Sequence, residues 1–203
     1  MVNALALRAR VPLAHAGSKP RKCILPPEKF LPPALILMKI EVRLAQKPDR
    51  KAFVNLALER DRGLQDVRSC YDIYRKAIGN PSYWNRKFDK LIGEKRLLLA
   101  FMDKKPAELL HFTPNFIDYP AAYVELVFVS KSSRKLGIAA RLFKEAEKMI
   151  AAKGYQKMFS STNPSNRISL KMHRRFGYNR CGSIYGIETP TSREIFFFKS
   201  LKN

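Results

Sequence analysis

One segment of the chain joins a strand to a long helix through a short basic turn. Residues 123–129 read YVELVFV, a β-branched and aromatic run typical of a buried strand. Four residues and the basic pair Arg134-Lys135 follow, and helical periodicity then extends from Gly137 to Lys153. A strand and a helix that follow each other so closely predict a mixed α/β fold.

The chain after Met38 continues this alternation of strands and helices. Strands are predicted at 39–46, 96–102, 107–112, 123–129, 157–161, 178–184 and 194–201. Helices are predicted at 53–60, 66–78, 83–92 and 137–153, and from Asn163 as N-cap, with Pro164 at the first position, to Gly177. No repeat or linker interrupts residues 38–203, so we predict a single mixed α/β domain there.

Residues 1–37 differ from the rest of the chain. They hold six of the 13 prolines and a single acidic residue, Glu28. Prolines at that density interrupt any hydrophobic periodicity of a helix or a strand. We expect a disordered extension, or an artefact of a translation start upstream of the true start at Met38. An organelle-targeting peptide is the alternative, because the segment contains Arg and is poor in acidic residues.

The extension is expected to be dispensable for the domain. A chain shortened to begin at Met38 should match the full chain in melting temperature and in ligand affinity, since residues 1–37 lack the periodicity of a packed element. Thermal unfolding and calorimetry measure the two quantities. A large loss in either would mean that the extension packs on the domain.

The charge balance favours anionic partners. Lys and Arg number 39 against 17 Asp and Glu, which gives a formal net charge of +22. Nucleic acid, phosphorylated cofactors and acidic membrane surfaces are the classes of partner that such a surplus attracts. No apolar stretch approaches the roughly 20 residues of a transmembrane helix. The three cysteines and three histidines are scattered, so we predict no disulfide scaffold, no metal site and a cytoplasmic location.

The turn before the long helix has the properties of an anion site. The first backbone N–H groups of a helix lack intrahelical partners and carry the positive end of the helix dipole. Gly137 has no Cβ, so a phosphate can approach the backbone there. Lys131, Arg134 and Lys135 add positive charge around the same point. The alternative is an ordinary strand–turn–helix junction with charged surface residues.

Two motifs resemble signatures of the GNAT superfamily of acetyl-CoA-dependent N-acetyltransferases. Residues 134–139 (RKLGIA) match its R/Q-x-x-G-x-G/A pattern. The second signature, an Asn with a small residue at +3 and Gly and an aromatic residue at +11 and +12, reads Asn166, Ser169, Gly177 and Tyr178. The resemblance implies a central, mostly antiparallel sheet that splays at the cofactor site and is flanked by helices. Acetyl-CoA is then the co-substrate.

The resemblance also implies which residues bind the cofactor. The pantetheine arm would pair with the backbone of Val127, Phe128 and Val129 in the gap of the splayed sheet. The pyrophosphate would lie on the helix start formed by Arg134, Lys135, Leu136, Gly137, Ile138, Ala139 and Ala140. Asn166 would face the pantetheine or the adenine side, and helix capping is its alternative role.

Two residues are candidates for acid–base catalysis. His173 stands where many family members carry the Tyr that protonates the CoA thiolate; a packing or hydrogen-bonding role is the alternative. Glu125 is the candidate general base, since an acidic residue inside an apolar strand requires explanation. Simple alternation puts Glu125 on the same face as Val127, and an ion pair is its alternative role. Tyr123 would border the acceptor, and Tyr185 is a weaker acid candidate.

The sequence therefore supports two alternative functions. The first is acetyl transfer from acetyl-CoA to an amine, by direct attack in a ternary complex. The second is an RNA- or ribosome-associated protein with weak or lost catalysis, which the net charge of +22 and clusters such as Arg174-Arg175 favour. The sequence does not identify the acceptor, and a homodimer is open. Polyamines and aminoglycosides are disfavoured, because cationic acceptors need an acidic cleft and carboxylates are few.

Overall fold

The computed structural model describes residues 39–64, 78–116, 120–186 and 192–201. The extension predicted at 1–37 and all but the last residue of the helix predicted at 66–78 lie outside these ranges. Within them, strands and helices alternate along the chain as the hydrophobic pattern predicts.

The seven strands of the described residues form one sheet in the order β1-β2-β3-β4-β5-β7-β6. The strands are β1 Ile40–Leu44, β2 Leu97–Met102, β3 Lys105–Thr113, β4 Ala121–Val129, β5 Lys157–Thr162, β6 Asn179–Tyr185 and β7 Arg193–Ser200. Every neighbouring pair is antiparallel except β4 and β5, which run parallel. The predicted mixed α/β domain with a mostly antiparallel sheet is confirmed.

Helices cover both faces of the sheet. The helices are α1 Arg50–Leu64, α2 Pro81–Gly93, α3 Ile138–Ala152 and α4 Arg167–Arg175. On one face, Phe53 and Phe88 of α1 and α2 pack with Leu99 of β2. On the other face, Leu142 of α3 packs with Leu110 of β3. Burying apolar surface on both faces fixes the sheet as the middle layer. None of the described helices is long and apolar enough to cross a membrane.

The predicted start of α4 was wrong by one turn. Asn163 was expected to cap the helix, but its Oδ1 accepts from the backbone N–H of Ser165 at 2.9 Å and closes a separate turn. The helix begins at Arg167, and the side chain of Asn166 accepts from the N–H of Ser169 at 3.0 Å. Two Asn residues in succession can each close a local turn, and the sequence does not say which one the helix follows.

The sheet splays between its two parallel strands. Pairing of β4 with β5 covers only Ala121–Val124 against Lys157–Ser160. Beyond that point β4 continues to Val129 alongside β3, while β5 continues to Thr162 alongside β7. A gap therefore opens between the two strands, as the family resemblance implied.

Candidate functional site

The far end of β4 lines the gap. Val127, Phe128 and Val129 are half-buried and pair with β3 on one side only. On the other side they lie past the last β4–β5 pair, Val124 with Ser160. Arg134 folds back, and its Nε donates to the carbonyl oxygen of Val129 at 3.3 Å. The described chain thus leaves one edge of this strand segment without a neighbouring strand.

The turn after β4 leads directly to the start of α3. Lys135 and Gly137 both adopt left-handed backbone conformations, with φ of 64° and 76°. Gly137 is the exposed N-cap of the helix, and a Cβ built on it would meet no atom within 4 Å. The amides of the first turn, from Ile138 to Ala140, follow at once and have no intrahelical acceptor. Open space therefore lies above a helix N-terminus.

A glutamate of α1 holds this turn in place. Glu59 Oε1 accepts from the backbone N–H of Lys131 at 2.9 Å and from the Ser130 hydroxyl at 3.1 Å. The N–H of Ser130 in turn donates to the carbonyl oxygen of Ala107 at 2.9 Å. Sequence reasoning missed Glu59, because its partners lie more than 70 residues away along the chain. The turn is anchored to both α1 and β3.

A buried carboxyl group lies beside the gap. Glu108 of β3 pairs with Val129 and has no exposed surface. Burial raises its pKa well above the ordinary value, because desolvation disfavours the charged carboxylate. Among the described residues, no group of three His, Cys, Asp or Glu could hold a metal ion.

Comparison with known proteins identifies this arrangement. The family model described as the acetyltransferase (GNAT) family matches residues 64–178, more than half of the chain. The chain belongs to the GNAT acetyltransferase family. The aminoglycoside N(6′)-acetyltransferase type 1 of Salmonella typhimurium is 32% identical over 80 residues, which are 39% of this chain. The match spans about half the length of that relative, 48%.

Solved structures of similar fold agree with this membership. An N-acetyltransferase from Staphylococcus aureus Mu50 superposes with a TM-score of 0.66 at 18% identity, covering 81% of this chain and 99% of that chain. A Salmonella typhimurium protein solved with its cofactor acetyl-CoA gives a TM-score of 0.65 at 12% identity, covering 81% and 95%. At these identities the likeness concerns the fold, and it confirms the GNAT architecture predicted from the two motifs.

The face assigned to Glu125 in this GNAT domain was wrong. His111 of β3 pairs with Leu126, but its neighbour Phe112 pairs with Val124, so Glu125 is the extra residue of a β-bulge. The bulge breaks the alternation on which the prediction rested. Glu125 contacts α2, whereas Val127 packs against the cluster beneath α3. Glu125 therefore projects from the face that α1 and α2 cover.

Two side chains lie close to Glu125 on that face. Its Oε2 lies 3.3 Å from Lys87 Nζ and 3.4 Å from His111 Nδ1, and its side chain keeps 32% of its surface exposed. Burial, together with Lys87, Arg60 and Arg96, lowers the pKa of His111 to about 3, so His111 is neutral at pH 7. Lys87 thus supplies the ion pair considered as the alternative role of Glu125. The carboxylate still faces solvent.

His173 is packed within the GNAT core. It is 1% exposed, and its ring stacks on Phe197 at a centroid distance of 4.4 Å. Nδ1 lies 2.8 Å from the carbonyl oxygen of Ser169, to which it can only donate, so Nε2 carries no proton in the neutral ring. Burial lowers the pKa of His173 below the ordinary value. A neutral, buried ring favours the packing role over proton donation to a thiolate.

Replacing His173 by Phe should therefore change turnover little. We expect kcat to fall by less than about tenfold, because a general acid contributes on the order of a hundredfold or more. The pH–rate profile should keep its shape. Steady-state kinetics of the natural and His173→Phe proteins across neutral pH measure both. A fall of a hundredfold, reversed in His173→Tyr, would return His173 to acid catalysis.

The remaining candidates take different positions. Asn166 caps α4 through Oδ1, and its contact with the cofactor stays a prediction. Tyr185 is 65% exposed at the end of β6, beneath the guanidinium of Arg193. The structure thus brings the β4 edge and the α3 N-terminus together through one short turn. Glu125 extends from β4 toward the sheet face that α1 and α2 cover, opposite the face of α3.

Proposed function

We propose that this protein transfers the acetyl group of acetyl-CoA to an amine by direct attack in a ternary complex. The observation that carries the proposal is the edge of β4 that no described strand pairs with, which leads through one turn to the open N-terminus of α3. Membership in the GNAT family and the amine-acetylating activity in the name of the Salmonella relative support it.

The residues of the gap fit the parts of acetyl-CoA. Val127, Phe128 and Val129 offer backbone groups to the amide-bearing pantetheine arm, much as a strand accepts an added strand. The amides from Gly137 to Ala140 and the turn from Arg134 to Leu136 would hold the pyrophosphate. Lys131, Arg134 and Lys135 are exposed there and supply counter-charge. Asn166 would hold the pantetheine or adenine side.

The chemistry requires a base and a site for the oxyanion. Acetyl-CoA supplies an activated acetyl group on a thiol that leaves readily. Glu125 would accept a proton from the acceptor's ammonium group, directly or through water, so that the free amine can attack the carbonyl carbon. A backbone N–H near Val129 would meet the oxyanion. The new C–N bond replaces the C–S bond, and the thiolate leaves without acid assistance, since thiols have a pKa of about 8.5.

A thiol-release assay tests the proposal. The full chain is incubated with acetyl-CoA and, in turn, with small amines, aminoglycosides, peptides and tRNA, and free CoA thiol and N-acetyl product are both quantified. The proposal requires equal amounts of thiol and amide with at least one amine. Tight CoA binding without any amide product would contradict catalysis and leave a binding protein.

The exposed cations of α4 favour a second candidate, an RNA- or ribosome-associated role. Arg167, Lys171 and Arg174 are exposed on this helix, and the chain has no acidic residue between Glu147 and Glu188. Phosphate contacts are made mainly by such side chains, and their binding weakens steeply with salt. Titration of tRNA at two salt concentrations decides: salt-independent or absent binding would remove this candidate. We also propose that residues 38–203 form the catalytic domain and that the protein is cytoplasmic.

A further inference from the structure

A half-buried aromatic surface lies on the sheet face opposite α3 and α4. Tyr123 pairs with Phe159 between β4 and β5, and Ser161 pairs with Phe196 between β5 and β7. Phe159 and Ser161 are two residues apart on β5, so these paired side chains, Ser161 included, share one face of the sheet. Phe116 stacks on Tyr123 at a centroid distance of 4.5 Å and lies 5.5 Å from Phe159. We call the rings of Phe116, Tyr123, Phe159 and Phe196 the aromatic floor.

The aromatic floor does not belong to either apolar core. None of its four rings is part of the cluster beneath α3 or of the cluster beneath α1 and α2. In the described part of the chain, the latter cluster reaches only Leu126 and Phe128 on β4. All four rings are half-buried. Contiguous apolar surface of this kind, outside the two clusters that the described residues form, is typical of a ligand site.

A buried carboxylate borders the floor. Glu194 of β7 is 7% exposed, and its Oε2 accepts from the Ser161 hydroxyl at 2.8 Å. Because the Ser161 hydroxyl donates its proton to Glu194, its oxygen acts as the acceptor for Tyr123. The Tyr123 hydroxyl, 2.8 Å from Ser161 Oγ, therefore donates to Ser161. No ion pair between described residues includes Glu194. A cationic ligand would relieve the cost of burying this charge.

Glu125 provides a second carboxylate on the same side. It stands two residues from Tyr123 on β4, and its contact with Lys87 of α2 places it on the face of the floor. Carboxylates from β4 and β7 therefore border the floor, in a chain of net charge +22. Aromatic faces flanked by carboxylates attract an organic ammonium group, both by charge and by the ring quadrupole. The scarcity of carboxylates in the sequence does not extend to this surface.

We propose that the acceptor is a small primary amine with an aromatic or other flat apolar body. The inference rests on the proposed acetyl transfer: the floor holds the body, Glu194 attracts the ammonium group and Glu125 receives its proton. An aminoglycoside offers hydroxyl groups and several charges but no apolar body for the rings. A polyanion such as RNA would meet two carboxylates here.

Acceptor specificity tests the inference on the full chain. The specificity constant kcat/KM is measured by thiol release for phenethylamine, butylamine, kanamycin and a peptide with a free amino terminus. Phenethylamine should exceed butylamine by about tenfold, the contribution of a ring–ring contact. Equal or better use of butylamine, kanamycin or the peptide would overturn the inference and leave the proposed function standing. Failure of every amine to consume acetyl-CoA would overturn both.

Two variants test the named residues. Phe196→Leu keeps an apolar side chain but removes the ring, and should bring phenethylamine and butylamine close to parity. Tyr155→Leu removes a ring that packs against the cluster beneath α3, outside the floor, and is the control. Glu194→Gln should raise KM for phenethylamine by about tenfold and leave KM for acetyl-CoA unchanged. Glu145→Gln removes the same charge from α3 as its control. An unchanged preference in Phe196→Leu, or equal KM values in the two Gln variants, would contradict the assignment.

Discussion

A Gly137→Glu variant is expected to bind CoA at least about a hundredfold more weakly than the natural protein. Gly137 is the exposed N-cap of α3, and the space above it is open to 4 Å. The new carboxylate would lie among the first-turn amides that the pyrophosphate requires. Hydrogen bonds to charged groups contribute about 1.5–3 kcal/mol each, so the loss of two gives this change. Calorimetry with CoA measures it.

A glycine at the other end of the same helix provides the control. Gly154 also has a left-handed backbone, with φ of 85°, and also faces open space. Gly154→Glu therefore adds the same backbone strain and the same charge away from the site, and should bind CoA normally. Pantetheine without phosphates should bind the natural and Gly137→Glu proteins alike. Equal CoA affinity of folded Gly137→Glu and natural protein would rule out this cofactor site.

The second large effect is expected at Glu125. If this carboxylate is the general base, Glu125→Gln should lower kcat by about a hundredfold or more, the usual contribution of acid–base catalysis. The affinity for CoA should stay nearly intact, since Glu125 projects away from the face on which Val127 packs. Steady-state kinetics with a saturating amine, and calorimetry with CoA, separate the two quantities.

Lys87 distinguishes catalysis from an ion pair. It is the cationic partner of Glu125, with Nζ and Oε2 3.3 Å apart. Lys87→Gln removes the ion pair and leaves the carboxylate, so it should retain most of the activity that Glu125→Gln loses. If the two variants lose activity equally, the ion pair is the function of Glu125. If neither loses activity across pH, Glu125 has no part in the reaction.

Local patterns predicted most of the fold. The strand, turn and helix of residues 123–153 follow from β-branched alternation, a basic turn and a helical stripe, each of which depends only on near neighbours. The proposed cofactor end of the site lies within that same stretch and is predicted for the same reason. The start of α4 was not, because Asn163 and Asn166 are equally good at closing a local turn.

The proposed acceptor side depends on contacts that no local pattern encodes. A bulge opposite His111 puts Glu125 and Val127 on opposite faces of the sheet. Such a bulge depends on how two strands pair, which the sequence of one strand does not show. Glu194, Ser161 and Tyr123 form one hydrogen-bonded chain across three strands, although more than 70 residues separate the first from the last. Only the strand order brings them together. Tyr123, Phe159 and Phe196 lie in three different strands, and each pattern alone is typical of an ordinary core position. Only the register of the strands shows that the three share one half-buried face.

The proposed acetyl transfer and the proposed acceptor both depend on acetyl-CoA lying between the far end of β4 and the start of α3. Amide hydrogen exchange of the natural protein, with and without saturating CoA, tests this directly, because backbone groups that pair with a ligand exchange more slowly. The slowed amides should fall at Val127–Val129 and at Ile138–Ala140, with little change in α1. Protection confined to other elements, or none at saturating CoA, would contradict the site.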